Sequence, residues 1–290
     1  MRILVFGKNG QVARALDDVA GDSGGLIFLG RAEADLTNEG AAQRTIAEHE
    51  PQIVVNAAAY TAVDKAETDT AAAQRLNADA PKEMAAACAS NAIPFIHIST
   101  DYVFNGDAED HLAESAPPDP RNVYGRSKLD GEAAVLEMNP DALILRTSWV
   151  FSEYGANFVK TMLRLSDNRK ELSIVSDQIG GPTDAHDIAR AILAIAGKKY
   201  RGAPGRGVYH FQGAPAVSWA DFAKKIFEIA NAEVAVAPIP TSEYPTAAAR
   251  PLHTVLDCAK IERDFGIGQP DWRVGLRRVL AALRNKEEIQ

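Results

Sequence analysis

At 290 residues, 46% of them hydrophobic, the chain is long enough to bury a substantial core as one large domain or two modest ones. A formal net charge of -8 argues against a nucleic-acid partner, because phosphate contacts need clustered Lys and Arg that this sequence lacks. The two cysteines, Cys88 and Cys258, supply neither a disulfide framework nor thiolate metal spacing, which suits a reducing cytoplasm.

Residues 2–6 are a short apolar run that reads as a buried strand. A strand starting this early leaves no room for a leader, and no apolar run approaches the roughly 18 residues needed to span a bilayer, so no membrane association is expected. The strand runs into Gly7-Lys8-Asn9-Gly10-Gln11-Val12-Ala13 and then a helix-compatible stretch, residues 14–19. Glycines here permit a tight turn and close approach to a pyrophosphate, and the small Ala13 lets helix pack on strand. An ordinary turn can share this composition; its position directly after the first strand favours a phosphate site.

The second strand, Leu26–Leu29, leads to Gly30-Arg31. Where such folds place an acid on the adenosine ribose, an arginine accommodates a 2′-phosphate. This favours NADPH over NADH, with a solvated surface charge as the alternative reading of Arg31. Asp35-Leu36 comes next: Asp35 either accepts from an adenine amino group or caps the helix beginning near Thr37 and Asn38. Both readings stay open.

Strand-like runs at Ile53–Asn56, 95–99 and 142–147 alternate with helix-like segments at 39–49, 79–90 and 124–136. The alternation predicts right-handed βαβ units and an α/β fold, a Rossmann-type doubly wound parallel sheet. Ligands then gather at the carboxyl ends of the strands. One such end carries Asn56-Ala57-Ala58-Ala59-Tyr60-Thr61, whose small residues leave room for a flat coenzyme or for close helix packing. Another carries Ser99-Thr100-Asp101-Tyr102-Val103-Phe104, whose hydroxyls can bond a substrate carbonyl oxygen or cap their own turn.

Tyr124-Gly125-Arg126-Ser127-Lys128 sets a Tyr and a Lys on one helix face. A free phenol, with a pKa near about 10, is a poor proton donor and a poor base at neutral pH. A cation beside it favours the phenolate and brings the group toward the working range of a general acid.

Beyond Val150 the pattern loosens. Short strands at 172–175, 209–211 and 234–238 separate helices at 157–166, 184–196 and 218–231. This predicts an NAD(P)-binding domain, residues 1–150, and a smaller C-terminal α/β substrate domain, residues 151–290, closing over the cleft. The helix at 184–196 is expected to return to the first domain, carrying residues 184–204 with it. Arg146, inside a strand, reads as structural, the acids between residues 107 and 114 as a solvated loop, and the tail 285–290 as frayed. The six histidines show no metal-ligand spacing.

Together these blocks, with Ala62-Val63-Asp64-Lys65-Ala66-Glu67 and Arg146-Thr147-Ser148-Trp149-Val150-Phe151, resemble the extended short-chain dehydrogenase/reductases, and within them the dTDP-4-dehydrorhamnose reductases, over nearly the whole chain. The resemblance implies NADPH-dependent reduction of the C4 ketone of dTDP-4-dehydro-L-rhamnose, for nucleotide-sugar and polysaccharide synthesis, with NADH as a possible second coenzyme. It implies that Thr100, Tyr124 and Lys128 form the catalytic set, and that Thr100, Asp101 and Trp149 contact the sugar nucleotide. Coenzyme contacts implied likewise are Gly10, Gln11, Val12, Asp35, Leu36, Ala59, Tyr60, Thr61, Tyr124 and Lys128, joining Gly7, Gly30 and Arg31 from the reading above. Trp149 offers a flat surface for a sugar or thymine ring, simple packing being the alternative. Arg250, before Pro251, is the candidate for the diphosphate, although the family more usually carries Asn and Ser where this chain has His253 and Thr254.

Some family members dimerise around magnesium held by carboxylates. The corresponding positions here, Ala15 and His186, are not acids, so no metal is expected, and the chain is expected as a monomer or a dimer without a magnesium link. Two other readings share the same machinery. One is a reductase or epimerase of another nucleotide sugar. The other is a non-catalytic NADP-binding subunit like the regulatory subunit of methionine adenosyltransferase, against which the retention of Thr100, Tyr124 and Lys128 argues.

Overall fold

In the first strand, β1 (Ile3–Phe6), every residue is buried, and alternate side chains enter different cores. Ile3 and Val5 join one cluster while Leu4 and Phe6 join the other, the two-residue period expected of a strand covered on both faces. A computed structural model describes residues 1–21 and 25–287; the last part of the tail expected to fray, 288–290, lies outside the described residues.

The first half runs α1 (Gln11–Ala20), β2 (Leu26–Leu29), α2 (Ala41–His49), β3 (Ile53–Asn56), α3 (Val63–Ala66), α4 (Thr70–Gln74), α5 (Ala80–Ser90), β4 (Phe95–Thr100), α6 (Val123–Met138) and β5 (Leu143–Thr147). The second runs β6 (Val150–Phe151), α7 (Phe158–Ser166), β7 (Glu171–Val175), β8 (Ile179–Gly180), β9 (Thr183–Asp184), α8 (Ala185–Tyr200), β10 (Gly207–His210), β11 (Val217–Ser218), α9 (Trp219–Ala230), β12 (Ala235–Ile239), α10 (Ala259–Phe265) and α11 (Trp272–Glu287).

Six strands form one parallel sheet in the order β10-β5-β4-β3-β1-β2. The chain winds outward from β1 to β2, then reverses to β3 on the other side, which opens a crevice between the carboxyl ends of β1 and β3. Helices cover both faces, as the alternation predicts. Val12, Ala13 and Leu16 of α1 share a core with Ile188 and Ile192 of α8, so the latter helix does pack back on the first. Met84 of α5 and Val135 of α6 close the opposite face.

The strand expected near residues 209–211 as part of the smaller domain instead extends the central sheet, with Gly207 opposite Leu143 and His210 opposite Arg146. Its Tyr209 is buried in the α1–α8 core together with Ile261 and Phe265 of α10, and a strand's local pattern carries no information about which sheet edge will satisfy its backbone. The remaining elements build a separate core from Phe151, Val159, Leu172, Phe222, Ile226, Trp272 and Leu276, with β12 pairing β7 in parallel beside it. Among the described residues, no helix is long and apolar enough to cross a membrane.

Candidate active site

The crevice is a cavity of about 890 Å³ running from the glycine turn after β1 to the stacked tryptophans of the second half. Gly7 has φ of 96°, and a Cβ there would sit 2.7 Å from the Ala57 carbonyl carbon, so only glycine lets β1 and β3 end this close together. Gly10, the N-cap of α1, makes no side-chain cap, and its backbone N–H donates to the Gly7 carbonyl at 2.8 Å. The first N–H groups of the helix thus face an open cleft, the arrangement that receives a pyrophosphate. Gln11 reaches across the cleft, accepting from Ser152 at 2.8 Å and Asn157 at 2.9 Å.

At the end of the cavity beside β2, Arg31 is largely exposed and its Nε donates to Asp35 at 3.1 Å. Asp35 also accepts from the Thr37 backbone and hydroxyl at 3.0 and 2.6 Å, which closes a local turn and does not cap a helix, since α2 starts only at Ala41 after Gly40, and the residue still lines the cavity. Lys8, which the sequence reading passed over, points to the same end and pairs with Glu33 at 3.0 Å.

The third group stands at the ends of β4 and α6. Asn122 caps α6 by accepting the Gly125 N–H at 2.8 Å, and a Cβ on Gly125 would lie 2.2 Å from the Tyr102 carbonyl oxygen. Bare glycine therefore allows the helix start to press against the strand end. This closeness sets Tyr124 edge-on to Tyr102, ring centroids 5.6 Å apart, and in hydrogen-bond contact with Thr100. Thr100 donates to Asp101 at 3.1 Å, and Thr254 donates to the other carboxylate oxygen at 2.6 Å. Burial pushes the Asp101 carboxyl up to about 6 against the pull of these hydroxyls.

One expectation fails here. Burial pushes the Tyr124 phenol up to about 12, with the Thr100 hydrogen bond opposing and the Asp101 charge adding to the rise, and the Lys128 amine is turned toward β4. Its Nζ donates to the Ile98 carbonyl at 2.7 Å and lies 3.3 Å from His97 Nε2, and burial brings it down to about 8. Behind this wall Arg146 forks onto Glu132, with Nε–Oε1 at 2.9 Å, and both side chains are almost wholly buried. That agrees with a structural role for Arg146.

Of the residues singled out from sequence, Gly7, Gly10, Gln11, Val12, Gly30, Arg31, Asp35, Leu36, Ala59, Thr61, Thr100, Asp101, Tyr124, Lys128 and Trp149 all line the cavity. Tyr60 and Arg250 do not. The Tyr60 hydroxyl donates to Asp69 at 3.1 Å, while its backbone is held by both ends of the Asn77 amide. Arg250 forms a two-pronged pair with Asp64, both contacts at 2.7 Å, which holds the Asp64 carboxyl down at about 2. An anion at Arg250 has to displace that carboxylate.

Trp149 has φ of 46°, uncommon for a residue with a side chain, and stacks on Trp219 with centroids 3.5 Å apart and planes 6° from parallel. Trp219 and Phe158 were missed by the sequence reading. Their only signal was position, each opening a helix after a capping Ser or Asn.

Also missed were three groups from distant segments. Asp18, Glu153 and His186 bring ligand atoms within 4.8 Å of one another. They do not suit magnesium: one donor is a nitrogen, and Asp18 already accepts from Tyr154 at 2.5 Å and contacts His186 at 3.1 Å.

A parallel sheet whose switch point holds a glycine turn, with a Tyr and a Lys one helical turn apart beside a strand-end threonine, defines a nicotinamide-dependent oxidoreductase of the short-chain dehydrogenase/reductase class. A family model described as the RmlD substrate binding domain matches residues 1–285. The chain is 45% identical to a dTDP-4-dehydrorhamnose reductase of Sinorhizobium fredii over 98% of both chains. Among solved structures, a dTDP-4-dehydrorhamnose reductase of Clostridium acetobutylicum superimposes with a TM-score of 0.92 at 37% identity, covering 98% of this chain and 100% of that one. One from Bacillus anthracis, in complex with NADP, gives 0.91 at 37% identity, covering 97% and 99%. The chain belongs to the dTDP-4-dehydrorhamnose reductase family.

Proposed function

We propose that the protein reduces the C4 ketone of dTDP-4-dehydro-L-rhamnose to dTDP-L-rhamnose with NADPH, supplying a nucleotide sugar for cell-surface polysaccharide. The observation that carries this reading is the meeting of Thr100, Tyr124 and Lys128 on one wall of the cavity that begins at the glycine turn. The bound reduced nicotinamide supplies the hydride. As that hydride reaches C4 and the C=O bond opens, Tyr124 gives its hydroxyl proton to the oxygen and Thr100 shares the hydrogen bond. Lys128 holds the ribose hydroxyls of the coenzyme. Protonated Tyr124 suits this role, since burial keeps it a donor across neutral pH.

Asp101, Trp149 and Trp219 receive the sugar nucleotide, and Arg250 meets the diphosphate only on release from Asp64. Gly30 and Arg31 favour NADPH over NADH. Residues 1–150 and 184–204, to which strand Gly207–His210 is added, form the coenzyme half, and most of 151–290 the substrate half. The protein acts in the cytoplasm, as a monomer or a dimer without a magnesium link.

The test mixes purified protein with NADPH and dTDP-4-dehydro-L-rhamnose and follows coenzyme oxidation, with other keto nucleotide sugars run alongside. Turnover confined to another sugar supports the alternative reductase, and tight NADPH binding without turnover supports the regulatory subunit.

A further inference from the structure

Behind the cleft, Asn56, His97 and Lys128 form a buried line from β3 through β4 to α6. The Asn56 amide is oriented by the backbone N–H of Ala58, which donates to its Oδ1 at 3.0 Å. The atom facing His97 Nδ1, at 3.0 Å, is therefore Nδ2, a donor with no acceptor capacity. Nδ1 must accept, and a neutral imidazole then carries its single proton on Nε2. That proton points at Lys128 Nζ, 3.3 Å away. An ammonium has three donors and no acceptor, so a charged Lys128 would oppose donor to donor. A free amine resolves the conflict: its lone pair accepts from His97, and its own hydrogen goes to the Ile98 carbonyl at 2.7 Å.

We propose that His97 is a positioning residue that favours the uncharged amine of Lys128, withdrawn against β4, and that coenzyme binding draws the lysine out and drives it to the charged form by uptake of a proton. The second half rests on Lys128 being the coenzyme-facing lysine of the proposed function. The surroundings agree. On its own helix Lys128 has Tyr124 one turn before and Glu132 one turn after, the latter committed to Arg146 and Ser99. From β3 comes the uncharged Asn56, and from β4 come His97 and, past the strand end, Asp101. Burial lowers Lys128 to about 8 despite Glu132, and burial holds His97 well below its usual range, so the ring stays neutral.

The test is nuclear magnetic resonance on the coenzyme-free full chain, reading the His97 ring nitrogens for the tautomer and the Lys128 side chain for its titration midpoint. The expected result is an Nε2–H tautomer and a Lys128 midpoint near about 8. Asn56→Asp keeps the shape and the bond to Ala58 but offers Nδ1 an acceptor, which shifts the proton and frees Nε2 to accept from an ammonium. The Lys128 midpoint should rise by at least about one pH unit, a tenfold change, and His97→Phe, which removes the opposing donor, should shift it the same way. Calorimetry of NADPH binding in buffers of different ionisation enthalpy, about one pH unit above the wild-type midpoint, should show proton uptake that Asn56→Asp cuts to about half or less. An Nδ1–H tautomer in the wild-type protein, or an unmoved midpoint in both variants, overturns the proposal. Absence of NADPH binding removes only the coenzyme reading, because the resonance measurements still decide the state of Lys128.

Discussion

Tyr124→Phe separates the proton from the ring that carries it. The phenyl group keeps its edge contact with Tyr102, and the cap of the helix by Asn122 is untouched. What disappears is one hydroxyl and its hydrogen bond with Thr100, a net stability cost of about 1 kcal/mol, so the melting temperature should barely move. Turnover is another matter. A positioned general acid contributes about 100-fold or more, so kcat should fall by at least that factor, equivalent to about 2.7 kcal/mol of barrier. NADPH affinity, which the proposed function assigns mainly to the glycine turn and the far end of the cleft, should stay nearly intact. Coenzyme oxidation at saturating substrate reads the first quantity, and a fluorescence titration with NADPH reads the second. Near wild-type turnover in this variant would remove Tyr124 from the mechanism.

Arg31→Ala should weaken NADPH binding with little effect on NADH in parallel titrations, and equal losses for both coenzymes would contradict a 2′-phosphate contact. Arg146→Met leaves Glu132 buried without its partner, which should cost about 3–5 kcal/mol in urea unfolding and be largely relieved by adding Glu132→Leu. Gly125→Ala drives a methyl to 2.2 Å from the Tyr102 carbonyl, so the helix start must retreat from the strand end. The expected result is a larger fall in kcat than in NADPH affinity. Asp101 is a carboxylate above about 6 and protonated below, so kcat/KM should decline as pH falls through that value. In Asp101→Asn the decline should be missing from a lower, flatter profile.

The sheet was legible because its strands are buried on both faces and appear as unbroken apolar runs, as Ile53–Asn56 does. The glycine turn at the start of the cavity was legible for a similar reason: turn, strand and helix start are neighbours in the chain. What escaped depends on distance in sequence. The sheet partner of Gly207–His210, the Asp64 grip on Arg250 across 186 residues, and the meeting of Asp18 with His186 come from long-range packing that no local period encodes. The Tyr124 environment was misjudged on the same ground. A four-residue spacing places Tyr and Lys on one face, but whether the lysine faces the phenol or the strand behind it is decided by His97 and Ile98.

The paired indoles of Trp149 and Trp219 give the cleft its own optical reporter. They are two of the three tryptophans in the chain, and the third, Trp272, is buried and donates from its ring nitrogen to the Pro215 carbonyl at 2.7 Å. On the proposed substrate role of Trp149 and Trp219, a sugar nucleotide settling on that wall would change the polarity around two emitters, whereas Trp272 does not line the cavity. On that reading, intrinsic emission of the unlabelled protein should follow filling of the substrate end above the emission of Trp272.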